Sequence, residues 1–422
     1  MTGRIQTGRS RSLAQWKQST LILCLIGYTT SYLLRTNLSA VLDRLIAEFH
    51  ITNGAAGIAG SLFFWTYAAG QLLAGALADR VNPKRMMAVG MALSALCNAG
   101  IALSRGFAPI ILLWALNGLS LAMVWSPTFR ILVNWFSAEE YRKVSVWISL
   151  PTTVGYLLSW GLIRVAARPL PWRAAFVLPA VCAAVFLLFW AAFLKPSPES
   201  AGVLVPPPPE DRAAAAAPAT QRLWPLLIDE GLLFAGLAAV VQGLIKEGVN
   251  LWGPTMLSEM GDSLGSGLAS AYSMLIPLFS TLGILAAGAI VKRLKDSSTG
   301  ALLILFALST LASGAMYLFR AHFSVLAALI SLMMACMCGA NVLITVLVPM
   351  RYAGQNISAQ VAGGLNFLCY AGAGLGGSAM GLTSQRWGWN GVFLLWMALC
   401  ALAIAATVVW MRVARKRARS TG

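Results

Sequence analysis

Arg35 lies in "SYLLRTNLS" (31–39), within a run from Leu21 to Ile46 that is otherwise long and apolar enough to cross a bilayer. A charge at that depth costs roughly 2.5–3.5 kcal/mol on insertion scales, so it should face an internal, water-accessible cavity and be used there. Counting by threes and fours along a helix, one face collects Tyr28, Ser31, Tyr32, Arg35 and Ser39. A second cation, Lys246, stands in "VVQGLIKEGVNLW" (240–252), where the same count groups Gln242, Lys246 and Asn250. Guanidinium offers a planar fork that matches two oxygens of a phosphate or carboxylate, and ammonium adds a compact charge. Two such groups converging on a cleft with few acids select anions, a dianion best.

Structural roles compete with this reading. Arg35 has Asp43 as a possible partner two turns away, and Lys246 has Glu247 beside it. Adjacent helical residues do not face each other, so the Lys246–Glu247 contact is expected to be poor. Further candidates for ligand contact are Tyr67 and Gln71, Trp125, Tyr156, Asn341 and Thr345, and Asn366 with Tyr370. Arg130, near Glu139 and Glu140, is expected at a gate or in an ion pair. Asp79 and Arg80 are grouped with it as gating residues.

The elements that must position these side chains follow from composition. Of 422 residues, 58% are hydrophobic and 11% charged, which does not suit a water-soluble globule. Windows of about 20 apolar residues, enough to span a bilayer, recur at 21–46, 55–78, 86–104, 108–135, 144–167, 172–194, 231–257, 265–291, 299–319, 324–349, 357–383 and 389–411. An all-α membrane protein of twelve spans is expected. The N-terminal basic lead resembles a signal peptide, but its apolar run is too long and continues into further spans, so it is expected to be the first helix.

The net charge of +17 invites a nucleic-acid partner, yet its distribution argues for a membrane instead. Of 31 Lys and Arg, 21 fall at the termini and in loops on one side, six in the opposite loops and four inside spans. That bias is the positive-inside signature, placing both termini in the cytoplasm of a multi-pass inner-membrane protein. No nucleic acid is needed as a partner; a bilayer and a small anion are, and a monomer is the expected state.

"KPSPESAGVLVPPPPEDRAAAAAPATQRL" (195–223) cannot build a core, so it reads as a cytoplasmic linker between six-span bundles at 1–194 and 224–422. "GALADRVNPKR" (75–85) after span 2 and "GAIVKRLKDSS" (288–298) after span 8 mark a repeat with an offset of 213. Added to Arg35, that offset lands two residues from Lys246, so each half donates one cation at about the same depth. The halves would then rock about a central site, and repulsion between the two cations would slow the empty return. Seven cysteines in apolar segments read as core residues, and no cofactor or metal is expected. "GAGLGG" (372–377) lacks a preceding strand, and its glycines, with Gly381, are spaced for close helix packing rather than a dinucleotide. No catalytic set is visible, so an enzyme is not expected.

"YLLRTNLS", "GSLFFWTYAAGQLLAGALADRVNPKR", "MVWSPTFRILVNWF", "PWRAAFVLPA", "KPSPESAGV", "LIKEGVNLWGPTML" and "GGLNFLCYAGAGLGG" together resemble the organophosphate:phosphate antiporters of the major facilitator superfamily. The resemblance covers nearly the whole chain. It implies the two-bundle fold and exchange of a phosphorylated metabolite, such as glycerol phosphate or a sugar phosphate, for inorganic phosphate. It also implies that Arg35 and Lys246 grip the phosphoryl group, with Tyr28, Tyr32, Tyr67 and Trp125 as cavity aromatics. Thr36 stands where many members carry a second basic residue, Lys246 where many have arginine, and "WISLPTTVGY" (147–156) has no histidine. "LLRTNLS" and "FFWTYAAGQL" also resemble anion symporters for hexuronates and other carboxylates, and a sensor that binds an anion without moving it is a third reading.

Overall fold

The computed structural model describes residues 12–78, 81–137, 140, 144, 147–148, 150–161, 170–203, 231–261, 271–295, 297–352 and 358–420. The first half contains α1 (Leu13–Ala40), α2 (Leu42–Phe49), α3 (Asn53–Ala78), α4 (Pro83–Leu103), α5 (Phe107–Trp135), α6 (Leu150–Leu158) and α7 (Ala174–Phe193). The second half contains α8 (Leu232–Met260), α9 (Leu275–Arg293), α10 (Ser298–Leu318), α11 (Phe323–Val342) and α12 (Ser358–Ser420). Among the described residues, eight stretches are long and apolar enough to cross a membrane, and one of them, Gln360–Val413, is two crossings folded at Gly388. There φ is 63° and ψ is −173°, a backbone region open essentially to glycine alone. With α1, α3 and the span that holds α6, the crossings number twelve.

Local chemistry fixes where the helices begin. Ser12 caps α1 in a reciprocal capping box with Gln15. Asn82 caps α4, with Pro83 at its first position. The Lys84 ammonium donates to the Ala191 and Leu194 carbonyls at 2.7 and 2.8 Å, closing the end of α7. The described start of the connection, Lys195–Val203, packs on this face, with the Trp135 indole donating to the Lys195 carbonyl at 2.9 Å.

The first expected span differs from what forms. Helix α1 starts at Leu13 and stops at Ala40, because Val41 leaves helical geometry (φ −128°, ψ 13°). The chain then runs as the short amphipathic α2, with Leu42 and Leu45 buried and Ala47 and Glu48 exposed. Arg44, expected inside a span, therefore lies on α2, where it donates to the Leu170 carbonyl at 3.2 Å. Cys182, expected in the core, is exposed on the outer surface of α7.

A buried amide cluster sets the depth of α1. Asn37 donates to the Asn98 side chain (2.7 Å) and the Ala175 carbonyl (3.0 Å). Asn98 and Asn117 both donate to the Leu34 carbonyl, at 3.3 and 2.8 Å. These bonds tie α1 to α4, α5 and α7 on the side of the helix away from the cavity, so the backbone that carries Arg35 is held from behind.

The Lys17 ammonium contacts both Glu140 oxygens at 2.7 Å, and the Ser137 amide donates to the same carboxylate at 2.9 Å. These bonds hold the Glu140 carboxyl below its ordinary value of 4.5. A depressed carboxyl stabilises the fold at neutral pH and loses that contribution as pH falls through its native value. Thermal unfolding followed from neutral pH down through the acid range should therefore show a smaller loss of Tm for Glu140→Gln than for wild type. Parallel acid profiles would show the pair to be inert.

The halves meet along α3 and α12 at the face opposite the termini. Asn53 donates to Ser384 (3.2 Å), the Gly54 amide to Gln385 (3.2 Å), and the Ser378 amide to Ser61 (2.9 Å). Gly57 and Gly377 allow the backbones to touch, since a Cβ on either would strike the other's carbonyl oxygen. Deeper in, the Trp65 ring covers Gly374, and Tyr67 meets Tyr370 with ring centroids 5.0 Å apart. Toward the termini a Cβ on Gly363 or Gly364 would meet open space, and Asn366 is exposed. The two halves are thus closed together at the far face.

Candidate functional site

Arg35 reaches the interior at the level where this closure ends. Its guanidinium carbon lies 5.1 Å from the ring centres of both Tyr32 and Tyr67, 5.6 Å from Phe63 and 5.7 Å from Phe64. Cation–π attraction at such distances contributes about 0.5–2 kcal/mol per ring. The rings surround the cation, and among the described residues no carboxylate forms a salt bridge with it, so its N–H donors are available to an incoming oxyanion.

Lys246 comes from the other half. Its ammonium sits 2.9 Å from a Glu247 oxygen, with 21% of the lysine side chain exposed against 6% of the glutamate. The contact expected to be poor is therefore made, because the four-carbon lysine stem bends back across the helix surface to reach its neighbour. The second Glu247 oxygen accepts from the Asn250 amide at 2.9 Å.

Arg35, Lys246 and Glu247 line one cavity, with Tyr32, Tyr156, Tyr370, Thr152 and Thr153 among its walls. A second chamber on the far-face side shares Arg35, Tyr156, Glu247 and Asn250 and is walled by Phe63, Phe64 and Trp114. The expected convergence of one cation from each half on a shared space is what the fold builds. Two donors of opposite geometry, a fork and a point charge, face a pocket whose other polar walls are hydroxyls, the Asn250 amide, the Cys338 thiol and the Glu247 carboxylate. That chemistry binds oxyanions. It offers no nucleophile paired with a base.

Homology agrees with this architecture. The model of the Major Facilitator Superfamily matches residues 24–376. The chain belongs to that superfamily. Among its curated relatives, the "Probable hexose phosphate transport protein" of Chlamydia trachomatis serovar D is 24% identical, over 94% of this chain and 90% of the relative. The "Membrane sensor protein UhpC" of Escherichia coli K12 is 22% identical, over 90% and 89%. Among solved structures, a point mutant of the nucleoside transporter NupG superposes with a TM-score of 0.74 at 15% identity, over 94% of this chain and 99% of that one. The last likeness speaks to the fold alone. The chain is a multi-pass membrane protein of a transporter superfamily, not an enzyme.

Within this major facilitator frame the other candidate residues separate. Tyr28 packs on Tyr32 (5.3 Å) and on Trp125 (5.1 Å), forming an aromatic wall toward the terminal face rather than the cavity lining itself. Tyr67 acts through Arg35 and Tyr370. Gln242 is placed differently from expectation: it is fully buried and donates to the Met337 carbonyl at 3.0 Å, tying α8 to α11 outside the cavity. Ser31 and Ser39 are likewise buried, with Ser39 accepting from the Trp160 indole at 3.0 Å. Arg130 is half-buried on α5, five residues beyond Trp125. Of its expected neighbours, Glu140 is held by Lys17 and Glu139 falls outside the described residues, as do Asp79 and Arg80. Phe63, Phe64, Ser280 and Cys338 were not expected at the site; "SLFFWTY" carried a signal, since Phe63 and Phe64 precede Tyr67 by four and three residues.

The ion pair makes Lys246 different from Arg35 in one measurable way. Lys246→Ala leaves Glu247 buried without its main partner, a loss of about 3–5 kcal/mol for a broken buried pair. The purified variant should show a markedly lower Tm, and Lys246→Ala combined with Glu247→Gln should recover most of it. A Tm equal to wild type in the single variant would remove the pair as a structural element.

Proposed function

We propose that this protein is a secondary carrier that exchanges a phosphorylated small molecule for inorganic phosphate by alternating access. The observation that carries the reading is the cavity shared by Arg35 and Lys246, one cation from each half, sealed toward the far face by the α3–α12 contact. The bundles 1–194 and 224–422, joined by 195–223, rock about that site; Arg35 forks the oxyanion and Lys246 contacts it from across the cleft. Asn250 and Tyr370 complete the walls, Tyr28, Tyr32, Tyr67 and Trp125 shape the approach, and Arg130, Asp79 and Arg80 act at the gate. The positive-inside bias puts both termini in the cytoplasm, so the sealed far face is the outer one. The carrier works as a monomer in the inner membrane. The hexose phosphate relative supports a phosphate ester as cargo.

The sensor relative favours a second reading, an anion receptor that does not complete the cycle. Counterflow separates the two: proteoliposomes loaded with unlabelled phosphate should accumulate external labelled phosphate above equilibrium. Saturable phosphate binding without counterflow would favour the sensor, and neither would remove the phosphate assignment.

A further inference from the structure

Glu247 changes what the site can hold. Its side chain is only 6% exposed, with one carboxylate oxygen on the Lys246 ammonium and the other on the Asn250 amide, each at 2.9 Å. Arg35, Lys246 and Glu247 are the charged residues lining the two chambers among the described residues. Two cations less one anion leave a resident charge of +1, not the +2 that sequence alone suggested. A monoanion balances that charge. A dianion brings a second negative charge beside a carboxylate whose two oxygens are committed to Lys246 and Asn250 and whose side chain is only 6% exposed. Displacing Glu247 from Lys246 to admit the dianion would leave a buried carboxylate with a single amide donor.

We propose that Glu247 sets the charge class of the cargo. The site favours a singly charged oxyanion, such as a phosphodiester or a half-esterified diacid, over its doubly charged counterpart. This rests on the reading above that the cavity is the cargo site, and it narrows the substrate class.

Two matched pairs of probes test this on the purified full-length protein at pH about 7.5. One pair is glycerol phosphate, which carries about two charges there, and its methyl diester, which carries one; the other is succinate and its monomethyl ester. Within a pair, wild type should bind the monoanion tighter by about tenfold or more, the scale of one Coulomb contact in a partly dry site. Glu247→Gln should reverse the order. Equal or dianion-favouring affinities in wild type, or an unchanged ratio in Glu247→Gln, would overturn the proposal. If the variant does not fold, the wild-type ratios decide. Binding of the carboxylates alone would remove the phosphate reading while the ratio within that pair still judges Glu247. Binding of neither pair would overturn both.

Discussion

Arg35→Ala should abolish exchange while leaving the protein folded, with a smaller loss of stability than Lys246→Ala. Two charge-assisted hydrogen bonds to an oxyanion are worth about 1.5–3 kcal/mol each, so anion affinity should fall by about a hundredfold or more. Stability should fall less than in Lys246→Ala. The guanidinium is held by four aromatic rings, and among the described residues no carboxylate forms a salt bridge with it, so its removal costs ring contacts but breaks no direct ion pair. Removing a charge from mid-membrane also relieves its insertion cost. Arg35→Lys keeps the charge but loses the fork and the flat stacking surface, so it should bind weakly, between wild type and Arg35→Ala. Binding isotherms and thermal unfolding on the same preparations read both quantities. A Tm loss in Arg35→Ala comparable to that of Lys246→Ala would mean that Arg35 is a structural cation after all.

Gly57→Val should separate binding from transport. Gly57 and Gly377 bring α3 and α12 into backbone contact across the two halves, and a side chain at Gly57 strikes the Gly377 carbonyl. Helix backbones in contact cannot yield as side chains do, so overpacking of about 1–3 kcal/mol falls on the far-face-closed state alone. Each 1.4 kcal/mol is about a tenfold shift in population, so that state becomes about ten- to a hundredfold rarer relative to the far-face-open one. The cavity residues are untouched. Anion binding should persist, transport should be lost, and spin labels at the far-face end of α3 and near the Gly388 fold of α12 should move apart. Undiminished transport would show that the α3–α12 contact is not part of the cycle.

The legible part of the site was the part governed by helix periodicity and internal repetition. Arg35 and Lys246 were found because a 213-residue offset and a polar face each point to them, and both line one cavity. Glycines 372, 376, 377 and 381 do pack closely: Gly372 and Gly376 lie on α8, while Gly377 and Gly381 reach α3 of the other half. Periodicity names a face but not its neighbour, and for this reason Gln242, on the same stripe as Lys246, is spent on the Met337 carbonyl. Nor does it register the reach of a long side chain. The Lys246–Glu247 bond depends on the lysine stem, not on where two adjacent Cβ atoms point. The break at Val41 left no sequence signal, since no proline or glycine marks it.

The central claim is that one anion sits between a cation from each half. Anomalous diffraction from crystals soaked with perrhenate, a heavy and singly charged oxyanion, locates that anion directly. A single peak within hydrogen-bond reach of both Arg35 and Lys246, weakened in Arg35→Ala, is the predicted result. A peak on the basic terminal face with none in the cavity would contradict it.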